Sequence, residues 1–350
     1  MENVLLDSFR RLLGEVSPTV AVRRAEQEGD VADILHAVED SGFLDALVPE
    51  SQGGSGLALS EVVSLILAAG EYLLPIPFAE TMVARALIAG SEAHAPRRQV
   101  ITLWPTNSAG HLRSQMPPLG APSSLALVQR GTTFHLLPMI CGEPGHDPFR
   151  VPGISAGSDV ASGLDAGLSA GAAPDQRAQP LLSFTRPDVD LLHCSAAITA
   201  ATMAGVLQGM LELSLTYVND RQQFGRSLSK FQAIQQQMSV FAERTTCAQV
   251  AARIGLSGSN LVLDGARVAI AKSIVNESAS ACAGIAHAVH GAIGISEAHD
   301  LQLYTRRLAR GRMSFGSDTY WQRVLGNARL SAPDATSVDF VRRRLAGSPG

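Results

Sequence analysis

Arg221-Gln-Gln-Phe-Gly-Arg-Ser-Leu-Ser-Lys-Phe-Gln232 is a charged, glycine-punctuated turn between two long helical patterns. Before it, Met203, Val206, Leu207, Met210, Leu211, Leu213, Leu215 and Val218 mark a helix with a wide apolar face. After it, Phe231, Ile234, Met238, Phe241 and Thr245 recur at three- and four-residue steps and predict a second helix. Gly225 is suited to positive φ, and Ser227 or Ser229 to capping the second helix. An arginine held at such a turn has two open readings. A guanidinium offers paired donors to phosphate, and it also neutralises the carbonyl end of its own helix.

The segment resembles the C-terminal domain of the acyl-CoA dehydrogenases, in which an Arg-x-x-Phe-Gly-x-x-(Leu/Ile)-x-x-Phe-Gln signature joins two bundle helices. The resemblance implies that Arg221 and Gln232 bind the diphosphate region of FAD and that Phe224 packs beside the adenine, across a subunit interface. It implies an acyl-CoA substrate, an electron-transfer acceptor, and a homo- or hetero-oligomer with another acyl-CoA dehydrogenase subunit.

Around this turn, the 350 residues divide by composition. Residues 1–95 read as an N-terminal helical domain, with apolar patterns at Phe9–Leu13 and Val31–Leu44. A Gly/Ser/Pro loop covers 48–57, and Ser60 stands where a long apolar helix would be capped. Its Pro-Glu-x-x-Gly-Gly loop is similar to the family's N-terminal domain. Residues 96–190 lose charge and gain proline and glycine. Val100–Leu103, Leu125–Val128, Phe134–Leu137 and Leu181–Phe184 read as strands, and 153–171 as loop. Residues 191–335 are helical again, including an alanine-rich helix over 261–290, and 336–350 form a tail. The fold expected is mainly α with an inserted β domain: an N-terminal helical domain, a central β-barrel-like domain and a C-terminal four-helix bundle supplying the oligomer interface.

Composition excludes several classes. The net charge is −4, with no basic stripe or acidic tail, so nucleic acid is not an expected partner. Cys141, Cys194, Cys247 and Cys282 have no paired spacing, which argues against a metal site or disulfide framework and suits a reducing cytoplasm. The N-terminus lacks the pattern of a signal peptide, and no segment reads as a membrane span, so a soluble cytoplasmic protein is expected.

Three further stretches bear on chemistry. Val289-His-Gly-Ala-Ile-Gly-Ile-Ser296 resembles the family's Gln-x-x-Gly-Gly-x-Gly turn against the FAD diphosphate. Ala288 replaces the glutamine and Ala292 the second glycine, while His290 and Gly291 remain as expected contacts; a helix C-cap is the plain alternative. Arg306, Arg307, Arg310 and Arg312 read as a solvated or interface helix face.

In Phe315-Gly-Ser-Asp-Thr-Tyr-Trp-Gln-Arg323, alignment through Gln322-Arg323 puts Gly316 where most relatives carry the glutamate that removes the substrate α-proton. The alternative base position on the preceding helix falls at Ser195, and no carboxylate lies between Leu191 and Gly209. Asp318 is the nearest acid, either a displaced base or an N-cap. Gly316→Glu is expected to restore the base in part at best. In the β segment, Leu103–Gly110 and the Gly157-Ser-Asp159 triplet retain only fragments of the family's flavin-ring motif.

Four functions stay open on this reading. The chain is the base-lacking partner of a heteromeric acyl-CoA dehydrogenase of fatty-acid or steroid side-chain catabolism. Otherwise it is a self-sufficient dehydrogenase with an unusual base, a flavin-dependent monooxygenase, or a non-catalytic scaffold.

Overall fold

The computed structural model describes residues 2–29, 31–106, 124–140, 173–258, 260–334 and 336–345. The expected 153–171 loop and the Gly157-Ser-Asp159 triplet therefore lie outside the described residues, as does the last part of Leu103–Gly110.

Five helices open the chain: α1 (Glu2–Val16), α2 (Thr19–Glu28), α3 (Ala32–Asp40), α4 (Leu59–Glu71) and α5 (Phe78–Ala89). Gly42 ends the α3 pattern at φ 78°, a backbone angle that glycine adopts without a Cβ clash. The cap expected at Ser60 is displaced. Ala58 is the cap residue of α4, and its amide donates to the Glu61 carboxylate at 2.7 Å, so a side chain inside the first turn satisfies the helix end. Inside this layer Arg85 is 2% exposed and hydrogen-bonds both oxygens of Glu39, at 3.1 and 2.6 Å, and Asp45 at 3.0 Å. A buried cation is tolerable only when paired in this way.

Among the described residues the central sheet has five strands: β1 (Val100–Pro105), β2 (Ser124–Arg130), β3 (Thr133–Ile140), β4 (Ala173–Pro174) and β5 (Leu182–Thr185). β1 runs parallel to β2, β2 antiparallel to β3, and β3 pairs with both β4 and β5. Alternate side chains serve two cores. Ile101, Leu103, Leu125, Leu127, Phe134 and Leu136 join the main core, whereas Trp104, Ala126, Val128 and Leu137 form a second cluster on the opposite face. Every residue of β1 is buried although it stands at the end of the strand order, because α5 covers it; the Thr81 hydroxyl on α5 accepts from the Ile101 amide at 3.0 Å.

The C-terminal part consists of α6 (Leu191–Asp220), a hairpin of β6 (Gln222–Gln223) and β7 (Arg226–Ser227), α7 (Gln232–Gly255), α8 (Gly265–His290), α9 (Leu301–Met313), α10 (Asp318–Leu330) and α11 (Ser337–Leu345). Helices α6, α7, α8 and α10 make the expected bundle, α9 packs on α6 and α8, and α11 occupies the span expected as a tail. Helix α8 begins later than its apolar pattern suggests, because Asp264 caps it by accepting from the amides of Ala266 and Arg267, both at 2.9 Å.

The seam between α4 and α6 is built on glycine. A Cβ on Gly70 would lie 2.1 Å from the Thr202 carbonyl oxygen, and one on Gly205 would lie 1.9 Å from that of Leu67. Backbone packs on backbone there.

The expectation that no segment reaches membrane-spanning length is corrected. Helix α6 and the run Gly265–Ile295 are both long and apolar enough by composition. Small Ala, Ser, Thr and Gly residues dilute the apolar pattern of α6 to the eye while adding no charge before Glu212. Of its most apolar window 83% is buried inside the protein, against 39% for the second.

Candidate functional site

The hairpin after α6 is a tight two-residue turn. Phe224 and Gly225 both have positive φ, 53° and 79°, the signature of a type I′ turn, which an aromatic residue rarely occupies. The Phe224 ring lies in solvent, 90% exposed, meeting Phe231 edge-on at 6.2 Å between centroids. Arg226 covers the Phe231 ring, its guanidinium carbon 4.1 Å from the centroid. Arg221 ends α6 with its amide on the Tyr217 carbonyl and its own carbonyl accepting from Leu228, both at 2.9 Å; its side chain is exposed. Gln232, the first residue of α7, is exposed too. Neither serine caps α7 with its side chain. Phe231 is the cap residue, and the Ser227 and Ser229 hydroxyls bond each other at 2.9 Å because a short 3-10 turn, Leu228–Lys230, intervenes.

The second expected stretch lies against the first. Tyr217, one turn before Arg221, stacks on the His290 ring at 4.3 Å, and His299 meets both rings edge-on. His290 is 3% exposed. Its Nδ1 is bonded to the Ala286 carbonyl at 2.8 Å, its Nε2 has no hydrogen-bond partner among the described residues, and burial lowers its pKa, with His299 and His287 adding to the effect. Gly291 closes α8 at φ 63°. Leu213, Thr216, Tyr217, Asp220, Arg221 and His299 line a shallow hollow between the two stretches. The exposed guanidinium, the solvent-facing aromatic and the exposed Gln232 suit an anionic, ring-bearing group such as FAD.

A separate cavity of about 180 Å³ lies where α4, α5, α6 and α9 meet. Its walls are largely apolar, with Leu74, Ile76, Phe78, Met203, Val206 and Phe315 among them. Thr199 and Thr202 on α6, Ser314, Glu80, Arg307 and Arg310 supply the polar lining. Both expected base positions flank it, through Phe315 and the α6 face at Ile198–Thr199, and neither carries a base. Gly316 has φ 113°, and a Cβ there would stand 2.5 Å from Trp321 Nε1. The indole is fixed in that space by its hydrogen bond to the Phe315 carbonyl at 3.0 Å. Ser195 is fully buried, and its hydroxyl donates to the Leu191 carbonyl at 2.7 Å.

Asp318 is neither cap nor cavity residue. Ser317 caps α10 by accepting from the Tyr320 amide, and Asp318 pairs with Arg312 at 2.7 Å in the first helical turn.

Three groups of this region escaped the sequence reading. Glu80 lines the cavity from the first turn of α5, one oxygen accepting from the Leu103 amide at 2.8 Å. Arg307 is not on a solvated face. It lines the cavity, donates to the Leu74 carbonyl at 3.0 Å, and burial lowers it to about 10 despite Glu26 nearby. Lys272 of α8 is fully buried, donating to the Gly311 carbonyl at 2.6 Å and Asn276 Oδ1 at 2.9 Å. The available signal was the spacing of Leu301, Tyr304 and Leu308, which puts Arg307 and Gly311 beside the buried stripe of α9.

This architecture of helical layer, sheet and helical bundle is the acyl-CoA dehydrogenase fold. Residues 189–330 match the family model for the acyl-CoA dehydrogenase C-terminal domain, and this part of the chain belongs to that family. Acyl-CoA dehydrogenase FadE34 of Mycobacterium tuberculosis is 26% identical over 92% of this chain, which spans 47% of that relative's length. A solved steroid acyl-CoA dehydrogenase, Tcur3481–Tcur3483, matches with a TM-score of 0.70 at 19% identity, covering 94% of this chain and 97% of the other. The ChsE4–ChsE5 complex from M. tuberculosis matches with a TM-score of 0.67 at 19% identity, covering 95% and 98%. At such identity the solved structures establish the fold.

Proposed function

We propose that the chain is the non-base-supplying subunit of a heteromeric, FAD-linked acyl-CoA dehydrogenase. The carrying observation is that both family base positions beside the cavity lack a carboxylate, and the space at Gly316 is filled by the Trp321 indole. Two solved chains of this fold, Tcur3481–Tcur3483 and ChsE4–ChsE5, come from paired assemblies, which supports a heteromer.

In this reading Arg221, Gln232 and the His290–Gly291 turn hold the FAD diphosphate, and Phe224 packs beside the adenine. Bound FAD would supply acceptance of a hydride from the acyl β-carbon. The chain's own part is to clamp the flavin, bury an acyl tail and exclude water from it. Removal of an α-proton by a positioned base contributes about 10²–10⁴-fold, so the isolated chain turns over little without its partner.

Glu80 favours a second reading, a self-sufficient dehydrogenase, because it is a carboxylate on the cavity wall. Its oxygen on the Leu103 amide tells against that role. The test is an electron-acceptor assay with acyl-CoA thioesters on the purified, flavin-supplemented chain, alone and with candidate partner subunits. Activity and yellow colour that appear only with a partner support the heteromer. Robust turnover alone, abolished by Glu80→Gln with flavin and fold retained, would establish the second reading instead.

A further inference from the structure

The turn expected to hold the FAD diphosphate is backed by a cluster of three histidines. His290, the last residue of α8 before Gly291, lies between the Tyr217 ring, stacked at 4.3 Å, and the His299 ring at 4.9 Å. His287 stands one turn earlier on the same helix. The Tyr217 hydroxyl donates to the His290 carbonyl at 3.4 Å, which ties the ring stack to the backbone entering the turn. Asp220 and Arg221 share the neighbouring hollow with Tyr217 and His299, and Asp300, next to His299, is paired with Arg23 at 2.6 Å.

Two ring nitrogens of the cluster, Nε2 of His290 and Nδ1 of His287, are buried with no hydrogen-bond partner among the described residues. The Ala286 carbonyl can only accept, so His290 Nδ1 carries the ring proton and Nε2 is left with a bare lone pair. Burial, with smaller contributions from His299 and His287, holds His290 below its ordinary 6.5, so the ring is neutral at pH 7. His299 is committed elsewhere, because its Nδ1 accepts from the Leu301 amide at 3.2 Å. The Tyr217 ring face favours an imidazolium at His290. What a second proton lacks there is a nearby negative charge, and a diphosphate seated at Gly291 would provide it.

We propose that FAD binding at this turn is coupled to proton uptake by His290, so that the chain holds its flavin more tightly in mildly acid than in alkaline solution. The proposal rests on the flavin reading of Arg221, Gln232 and the His290–Gly291 turn, and adds what regulates that site. An anion beside a neutral base favours the base's protonated form. Each unit by which it raises the ring's pKa tightens anion binding about tenfold below the free ring's pKa, and leaves it unchanged above the bound ring's. The FAD diphosphate keeps its charge across this range, so the change belongs to the protein.

The test is titration calorimetry of FAD into the full chain at pH 6 and pH 8, and at pH 7 in buffers of low and high ionisation enthalpy. Binding about fivefold or more tighter at pH 6 is expected, with net proton uptake read from the buffer dependence. His290→Gln keeps the Gly291 backbone and should still bind FAD, with no uptake and affinities at the two pH values within about twofold. His299→Gln should retain the uptake. Should His290→Gln fail to melt cooperatively, the histidine ring resonances of the wild type decide: one low titration midpoint should rise by about a unit or more with FAD. Equal affinity at both pH values without uptake, a set of histidine midpoints that FAD leaves in place, or coupling that survives in folded His290→Gln overturns the role of His290 and leaves the flavin clamp standing. Absence of FAD binding at either pH overturns both.

Discussion

Trp321 Nε1 lies 2.5 Å from the point at which a Cβ on Gly316 would stand, so the indole occupies the space of any side chain at the family's base position. Gly316→Glu should therefore fail to create a base, the lower end of the rescue in part at best expected from alignment. A non-glycine residue at φ 113° carries strain of about 1–3 kcal/mol before the indole is displaced. Thermal unfolding should show a clear drop in Tm, and an electron-acceptor assay should show no gain in turnover. A variant that melts like the parent and oxidises acyl-CoA would refute this.

Arg221→Ala should weaken FAD retention about tenfold or more, since a charge-assisted contact is worth about 1.5–3 kcal/mol. Its side chain is exposed and only its backbone holds the hairpin, so the melting temperature should stay within a degree or two of the parent's, as expected of a surface change. Flavin fluorescence during dialysis measures the first effect and a melting curve the second. Unchanged flavin occupancy would remove Arg221 from the cofactor site.

Arg85 and Glu39 form a buried pair with Asp45 at its edge. Removing one member strands a charge, which typically costs about 3–5 kcal/mol. Glu39→Ala should lower the urea midpoint far more than Arg24→Ala, whose exposed partner is Glu28. Similar midpoints for the two variants would show that water reaches Arg85.

Burial lowers Lys272 to about 7 from an ordinary 10.5, against the opposing pull of Asp318. Between those values the unfolded chain binds a proton that the folded chain has released, so this lysine makes stability rise with pH across that window. Below about pH 7 both states are protonated and the penalty is constant. The neutral amine can still donate to the Gly311 carbonyl and Asn276. Lys272→Met should thus be most favoured over wild type at pH 6 and lose that advantage, on the order of a few kcal/mol, towards pH 10. Parallel melting-temperature curves for the two proteins would contradict it.

Periodicity made the helical layers and the strands legible, because those patterns are local. The expected strands at Val100, Leu125, Phe134 and Leu181 correspond to β1, β2, β3 and β5 within a few residues. Helix starts were harder to read. Glu61 rather than Ser60 satisfies the start of α4, Ser317 rather than Asp318 caps α10, and no side chain caps α7. Each outcome depends on a competition among neighbouring polar groups that spacing does not decide.

The cavity was the least legible part. Its charged lining comes from Glu80 on α5 and from Arg307 and Arg310 on α9, more than two hundred residues apart in sequence. In the sequence those two arginines look like part of a run of four charges on a solvated or interface face. Only the packing of α9 on α6 turns Arg307 inward.

The glycine seam between α4 and α6 sets how this pocket can diversify. Backbones already in contact at Gly70 and Gly205 leave the two helices no closer approach, and any larger residue there would pry them apart. The frame is therefore rigid where Ile198, Met203 and Val206 project from it into the cavity. Exchanges at these three positions can deepen or shorten the pocket by single methylene groups while the walls stay in place. Tail length and helix spacing are thus separable properties of this chain, open to change one without the other.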